Sequence, residues 1–189
     1  MKILVATEKP FAKAAVDGIR EIVENAGHEL ALLERYTDKA QLLEAVADVD
    51  AMIVRSDKVT AEVIDAAPQL KVVVRAGAGY DNLDLAKCTE RGIVAMNTPG
   101  QNSNAVAELA IGMMIYMSRN QFAPGTGCEL SGKRLGIQGF GNIGQLVAKK
   151  AVALGMDVVI YTNEVKEKHQ RWKATFSLEH LYSSCDFVS

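Results

Sequence analysis

Leu135-Gly136-Ile137-Gln138-Gly139-Phe140-Gly141-Asn142-Ile143-Gly144 is a short apolar run that passes directly into a Gly-x-Gly-x-x-Gly turn. Each glycine has a separate physical task in such a turn. The first permits the sharp reversal from strand to helix, the second lets the backbone approach a diphosphate, and the third allows helix and strand to pack closely. Free N–H groups and the positive end of the helix dipole then face the phosphates. A glycine turn between strand and helix can also be purely structural. What gives this one weight is its setting: strand Arg134–Gln138, the turn, a helix from Ile143 to Ala153 and a second strand from Asp157 to Tyr161 follow one another in order. Gly139, Gly141, Asn142, Ile143 and Gly144 are therefore the candidate cofactor-binding residues.

About 20 residues beyond such a turn an acidic side chain normally ends the second strand and binds the adenosine ribose of NAD. Thr162 stands there instead, with Glu164 the nearest acid and Lys166, Lys168 and Arg171 close behind. Those basic side chains suit the 2'-phosphate of NADP, or else form a solvated loop. NAD is the expected cofactor, with NADP left open.

Working towards the N-terminus, β-branched runs at Ile3–Ala6, Glu29–Leu33, Ala51–Val54, Lys71–Arg75 and Ile93–Met96 alternate with helical stretches. The helices are read at Phe11–Asn25, Lys39–Val46, Ala61–Ala66 and Leu85–Arg91, with Asn25-Ala26-Gly27 as a stop and Thr60 as an N-cap. This is the α/β pattern of parallel strands joined by crossover helices. The fold expected is a flavodoxin-like unit over residues 1–99, followed by an incomplete Rossmann unit over residues 100–189. A long helix, Asn104 to Arg119, opens the second unit and is expected to bury Ala107, Leu109, Ala110, Met113, Met114 and Met117, with Ser103 or Asn104 as its cap. After Tyr161 come a polar segment to Lys173, a short helix Leu178–Tyr182 and a strand opening at Asp186-Phe187-Val188. A nucleotide sheet of three strands would leave unpaired edges, so the chain is expected to be part of a longer protein.

The bulk numbers exclude several classes. A formal charge of −2, from 21 basic and 23 acidic side chains, gives no general attraction to nucleic acid or anionic membranes. Apolar runs are far shorter than the roughly 20 residues of a transmembrane helix, and no signal peptide is visible. Cys88, Cys128 and Cys185 form no C-x-x-C pair and no metal-ligand spacing with His28, His169 or His180. No metal is expected, and the setting implied is reducing and cytoplasmic. The three histidines read as surface residues rather than catalysts.

Two further constellations carry chemistry. Arg75-Ala76-Gly77-Ala78-Gly79-Tyr80-Asp81-Asn82 follows the fourth strand, at the carboxyl end where ligands of open α/β sheets gather. The amides around Gly77 suit a substrate carboxylate. Arg55 and Ser56, at the end of the third strand, project to the same rim, and two arginines suit a phosphate. Asn97-Thr98-Pro99-Gly100-Gln101-Asn102-Ser103-Asn104 lies where one unit hands over to the next and should line a cleft, although capping alone would explain its polar residues.

These segments in this order, with Leu130-Ser131-Gly132-Lys133-Arg134 leading into the glycine turn, resemble the D-2-hydroxyacid dehydrogenase family, and within it the branch acting on 3-phosphoglycerate. The likeness runs from Met1 to Ser189, with a shorter segment at Asn120–Glu129 than most members carry. It implies a substrate-binding first domain and an NAD(P)-binding second one. It also implies hydride transfer at the CH–OH carbon of a 2-hydroxy acid, 3-phosphoglycerate foremost, as in serine biosynthesis. Arg55, Ser56 and Arg75 would hold substrate phosphate, Ala76, Gly77 and Ala78 its carboxylate, and Asn102 would lie near both ligands. The family's catalytic arginine, acid and general base come from a later region, so the catalytic residues stay unassigned. The Asn104–Arg119 helix resembles one that members use at a two-fold contact, which implies a homodimer. A non-catalytic dinucleotide-binding module or sensor is the alternative, and a different Rossmann enzyme such as a methyltransferase a third reading.

Overall fold

The computed structural model describes residues 1–162, 172–175 and 177–189. The chain divides into two compact units, Met1–Pro99 and Gly100–Ser189. In the first, β1 (Lys2–Thr7), α1 (Lys13–Asn25), β2 (Glu29–Glu34), α2 (Lys39–Ala45), β3 (Ala51–Val54), α3 (Ala61–Asp65), β4 (Val72–Arg75), α4 (Leu85–Glu90) and β5 (Val94–Met96) follow in order. The strands make one parallel sheet of order β2-β1-β3-β4-β5, the flavodoxin-like arrangement. Period-2 alternation sends Leu4 and Ala6 of β1, Met52 and Val54 of β3 and Val73 of β4 to one face. There they meet Leu42 and Val46 at α2, Val63 and Ile64 of α3 and Cys88 of α4. Each large side chain fully removed from water here contributes about 1.5–3 kcal/mol. Gly27, with φ of +72°, ends α1 in the left-handed conformation that the Asn25-Ala26-Gly27 stop requires.

The second unit holds α5 (Ser103–Ser118), a 3-10 turn (Asn120–Phe122), β6 (Arg134–Gln138), α6 (Asn142–Ala153), β7 (Asp157–Tyr161), β8 (Lys173–Ala174), α7 (Leu178–Ser184) and β9 (Phe187–Val188). Its sheet is parallel, in the order β8-β7-β6-β9. Leu135 and Ile137 of β6 and Val158 and Ile160 of β7 pack under α5 and α6 through Ala107, Ile111, Met114, Val147, Ala148 and Ala151. On the opposite face Gly136 admits α7: a Cβ there would fall 2.9 Å from Leu181 Cγ.

Four expectations need correction. The sheet has four strands, because Lys173 and Ala174 at the end of the segment read as polar pair with Val159 and Ile160. A two-residue strand is too short to leave a periodic signal. On α5, Ala107 and Met114 are buried and Ala110 is half-buried, but Leu109, Met113 and Met117 are 59–65% exposed and Ile111 is buried in their place. The helix is apolar nearly all round, so its periodicity could not tell one face from the other. Its N-cap is Asn102, without a side-chain capping bond; Ser103 is buried, and Asn104 Nδ2 donates to Glu108 Oε1 at 2.7 Å. Thr60 is the N-cap of α3, but its hydroxyl makes no capping bond. His28 is half-buried with an unpartnered Nδ1, whereas His180 is exposed.

Candidate functional site

The glycine turn of the second unit is built as its residue types require. Gly139 has φ of +90°, a left-handed conformation open to glycine, and its N–H donates to the Tyr161 carbonyl at 2.8 Å, which ties the turn to β7. Gly144 has no room for a side chain: a Cβ would lie 2.3 Å from the Gly139 carbonyl oxygen and 3.2 Å from Ile137 Cγ2. At Gly141 the same construction meets nothing within 4 Å. The three glycines thus divide the work into reversal, open space and close approach.

The first amide bond within α6 runs from Gln145 N–H to the Gly141 carbonyl at 3.1 Å. The amides of Asn142, Ile143 and Gly144 precede it, and no side chain caps them from Gly141. Three N–H donors at the positive end of a 12-residue helix, beside the open space at Gly141, are the kind of group that attracts an anion. Asn142 and Ile143 are exposed there, and the Asn142 amide lies 3.4 Å from the position a Gly100 Cβ would take, so the segment before α5 abuts the turn. Phe140 turns inward, edge-on to Trp172 with centroids 5.4 Å apart. Thr162 follows β7 and is half-buried. Glu164, Lys166, Lys168 and Arg171, together with His169, lie outside the described residues.

In the first unit, Arg75 is the ladder partner of Val54, so Arg55 and Arg75 leave neighbouring strands at the same rim. Arg75 Nε donates to the Arg55 carbonyl at 2.9 Å. Its guanidinium lies across Gly77, where a Cβ would meet Nη1 at 1.8 Å. Arg55 and Ser56 are exposed. Two of the three amides expected to form a nest are already engaged. Ala76 N–H donates to the Val54 carbonyl at 2.8 Å and Gly77 N–H to the Arg75 carbonyl at 2.9 Å, because the β-ladder continues past Arg75 into a tight three-residue turn. Among the described residues the amides of Ala78 and Gly79 take no backbone carbonyl, so the available donors lie one or two residues further on. Asn97 Nδ2 donates to the Ala78 carbonyl at 2.8 Å and Thr98 N–H to the Gly77 carbonyl at 2.9 Å, which hold this turn from the β5 side.

Sequence reasoning missed the group beneath this rim. Asp57 is 6% exposed, and its Oδ1 accepts from Tyr36 O–H at 2.7 Å and Glu8 N–H at 2.8 Å. Burial, and then the hydrogen bond to Asp57, push the Tyr36 phenol well above its ordinary range. The partners lie 21 and 49 residues away in the chain, so no local motif could have announced the cluster. Burial likewise raises the Cys88 thiol, which sits in the core as a small apolar group. No group of His, Cys, Asp and Glu able to hold a metal occurs among the described residues.

Known proteins resemble this chain in sequence and fold. Residues 6–176 match the family described as D-isomer specific 2-hydroxyacid dehydrogenase, catalytic domain. A hydroxypyruvate reductase of Thermotoga maritima is 40% identical over 176 residues, covering 85% of this chain and 57% of that protein. A D-3-phosphoglycerate dehydrogenase of Rattus norvegicus is 38% identical over 191 residues, covering 90% and 35% respectively. The chain thus spans between about a third and three fifths of these relatives' length. Among solved structures, the NAD+-bound 3-phosphoglycerate dehydrogenase of Entamoeba histolytica is similar over the whole chain and 61% of its own, with a TM-score of 0.91 and 48% identity. With both parallel sheets and the glycine turn in place, this chain belongs to the D-isomer specific 2-hydroxyacid dehydrogenase family.

Proposed function

We propose that the protein is an NAD-dependent oxidoreductase acting on the CH–OH group of a phosphorylated 2-hydroxy acid, with 3-phosphoglycerate as its substrate and serine biosynthesis as its context. The observation that carries this is the pairing of two anion sites of different kinds, the amide cradle at Gly141–Gly144 and the two guanidinium groups at Arg55 and Arg75. When bound, NAD supplies the hydride acceptor. The residues of this chain bind and orient. Residues 100–189 form the cofactor domain, in which the amides of Asn142, Ile143 and Gly144 hold the diphosphate and Thr162 stands at the ribose end. Residues 1–99 form the substrate domain. There Arg55, Ser56 and Arg75 hold the phosphate and the Ala78 and Gly79 amides hold the carboxylate; in the second unit Asn102, which makes no capping bond, is free to add a polar contact to ligand. The proton acceptor and the group that polarises the developing carbonyl are assigned to none of the described residues.

Hydroxypyruvate, the substrate in the name of the Thermotoga relative, is a second reading. Two arginines on one rim favour the phosphorylated acid, because a guanidinium binds phosphate oxygens in pairs. Calorimetric titration decides between them. The chain should bind NAD in preference to NADP, and 3-phosphoglycerate about tenfold or more tightly than unphosphorylated glycerate, a gap that Arg75→Ala should close. Equal affinity for the two acids would refute the phosphate assignment, and failure to bind NAD the oxidoreductase reading.

The protein is further proposed to act as a homodimer in a reducing, cytoplasmic setting. Val106, Leu109, Met113, Tyr116 and Met117 form an exposed apolar stripe at helical spacing on α5, opposite the buried Ala107, Ile111 and Met114. Cys88, Cys128 and Cys185 are free thiols. Among the described residues no helix is long and apolar enough to cross a membrane.

A further inference from the structure

We infer that Asp57 is the positioning residue of Arg75: its buried carboxylate fixes the Arg55 backbone through the N–H, and the carbonyl on the other side of the Arg55 Cα aims the Arg75 guanidinium. The inference rests on the assignment of the rim arginines to the substrate anion. Three donors converge on this one carboxylate. Glu8 N–H and Tyr36 O–H reach Oδ1 at 2.8 and 2.7 Å, and Arg55 N–H approaches Oδ2 at 3.4 Å. The groups that hydrogen-bond to it are all donors, which suits a carboxylate, whose oxygens accept. A buried carboxylate costs free energy unless it is hydrogen-bonded, and among the described residues Asp57 has no ion-pair partner. Its bonds therefore go to holding loops together rather than to neutralising a cation.

The loops concerned surround the rim. Glu8 follows β1, Tyr36 follows β2, and Asp57 itself follows β3. Asn82 Nδ2 donates to the Asp57 carbonyl at 2.8 Å, and Val59 N–H donates back to the Asn82 carbonyl at 2.9 Å, which adds the loop after β4. Four strand ends are thus fastened at one residue. Arg55 is the only one of these positions that then acts on Arg75. Its N–H faces the Asp57 carboxylate while its carbonyl accepts Arg75 Nε–H at 2.9 Å. The guanidinium occupies the space that a Gly77 side chain would fill, while the Arg55 carbonyl supplies the direction.

The test uses the whole chain labelled with nitrogen-15 and follows solvent exchange of the Arg75 Nε–H proton. In Asp57→Asn an amide NH2 turned towards Arg55 N–H opposes donor to donor, while Oδ1 can still serve Glu8 and Tyr36. Exchange of the Arg75 proton should accelerate about tenfold, and 3-phosphoglycerate affinity should fall by a similar factor. Tyr36→Phe is the comparison: it loosens the same cluster but leaves the Arg55 contact, and should change exchange by less than about twofold. Unchanged protection in Asp57→Asn overturns the inference, and so does an equal loss in Tyr36→Phe, which would mean general loosening. If Asp57→Asn does not fold, Asp57→Glu takes its place, since it keeps a carboxylate but moves its oxygens off the Arg55 N–H, with faster exchange expected and unchanged exchange again overturning the inference. Faster exchange with unaltered 3-phosphoglycerate affinity upholds the clamp on Arg75 and removes the phosphate assignment instead.

Discussion

Replacing Gly144 and Gly141 separately with alanine should pull apart two roles that the glycine turn combines. A Cβ at Gly144 would sit 2.3 Å from the Gly139 carbonyl oxygen, more than 1 Å inside an ordinary van der Waals contact. The obstacle is backbone, and Ile137, the next neighbour at 3.2 Å, is 1% exposed, so the helix must shift as a body. Overpacking of this kind costs about 1–3 kcal/mol, while alanine in place of a helical glycine returns up to about 1 kcal/mol. Because the obstacle is backbone the cost falls in the upper part of that range, about 2–3 kcal/mol, and the net loss for Gly144→Ala should be about 1–2 kcal/mol. At Gly141 the backbone has φ of −81°, which alanine adopts freely, and the space ahead is open. Gly141→Ala should leave stability within about 0.5 kcal/mol of the parent yet weaken NAD binding about tenfold or more, because its methyl occupies the space proposed for the diphosphate. The chain's single tryptophan, Trp172, packs edge-on against Phe140 in the turn itself, so its fluorescence reads both denaturant unfolding of the second unit and NAD titration. Unaltered NAD affinity in Gly141→Ala would refute the amide cradle as the diphosphate site. Full stability in Gly144→Ala would refute the close approach of α6 to the turn.

Two shorter predictions concern the surface. Lys173 Nζ at 2.5 Å and Arg134 Nε at 3.0 Å hold the Asp157 carboxylate below its usual range. Asp157 stays ionised in the fold to lower pH than in the unfolded chain. Its contribution is therefore complete above the ordinary carboxylate value of 3.8 and fades as pH falls through the depressed folded value. Asp157→Asn should cost less than about 1 kcal/mol near neutral pH, since the cluster is solvent-exposed, and nothing in strong acid; urea unfolding at both pH values checks the difference. Leu109 is 65% exposed on α5, and Leu109→Asp should dissociate the proposed dimer in sedimentation while changing monomer stability by no more than about 0.5 kcal/mol. A parent chain that sediments as a monomer at micromolar concentration would count against that interface.

What could be read from residues alone was whatever is carried by neighbours in the chain. Short β-branched apolar runs located β1, β3, β4, β6 and β7, and Gly139, Gly141 and Gly144 announced a turn whose geometry depends on six consecutive residues. Arg55 and Arg75 were placed on one rim because parallel strands joined by crossovers must end on the same side. Tertiary structure decided the rest. Lys173 and Ala174 became a strand only because β7 offered an unpaired edge. Leu109 and Met113 could be told from Ile111 and Met114 only once β6 and α6 chose a face of α5. The Ala76 and Gly77 amides proved to be engaged, because the ladder to Val54 claims the first and a tight turn the second. Asp57 became a hub only when folding carried Glu8, Tyr36 and Asn82 to it from across the first unit. Backbone conformation and apolar periodicity are set within a few residues, whereas the partners of a buried polar group are chosen by which strand ends the sheet brings together.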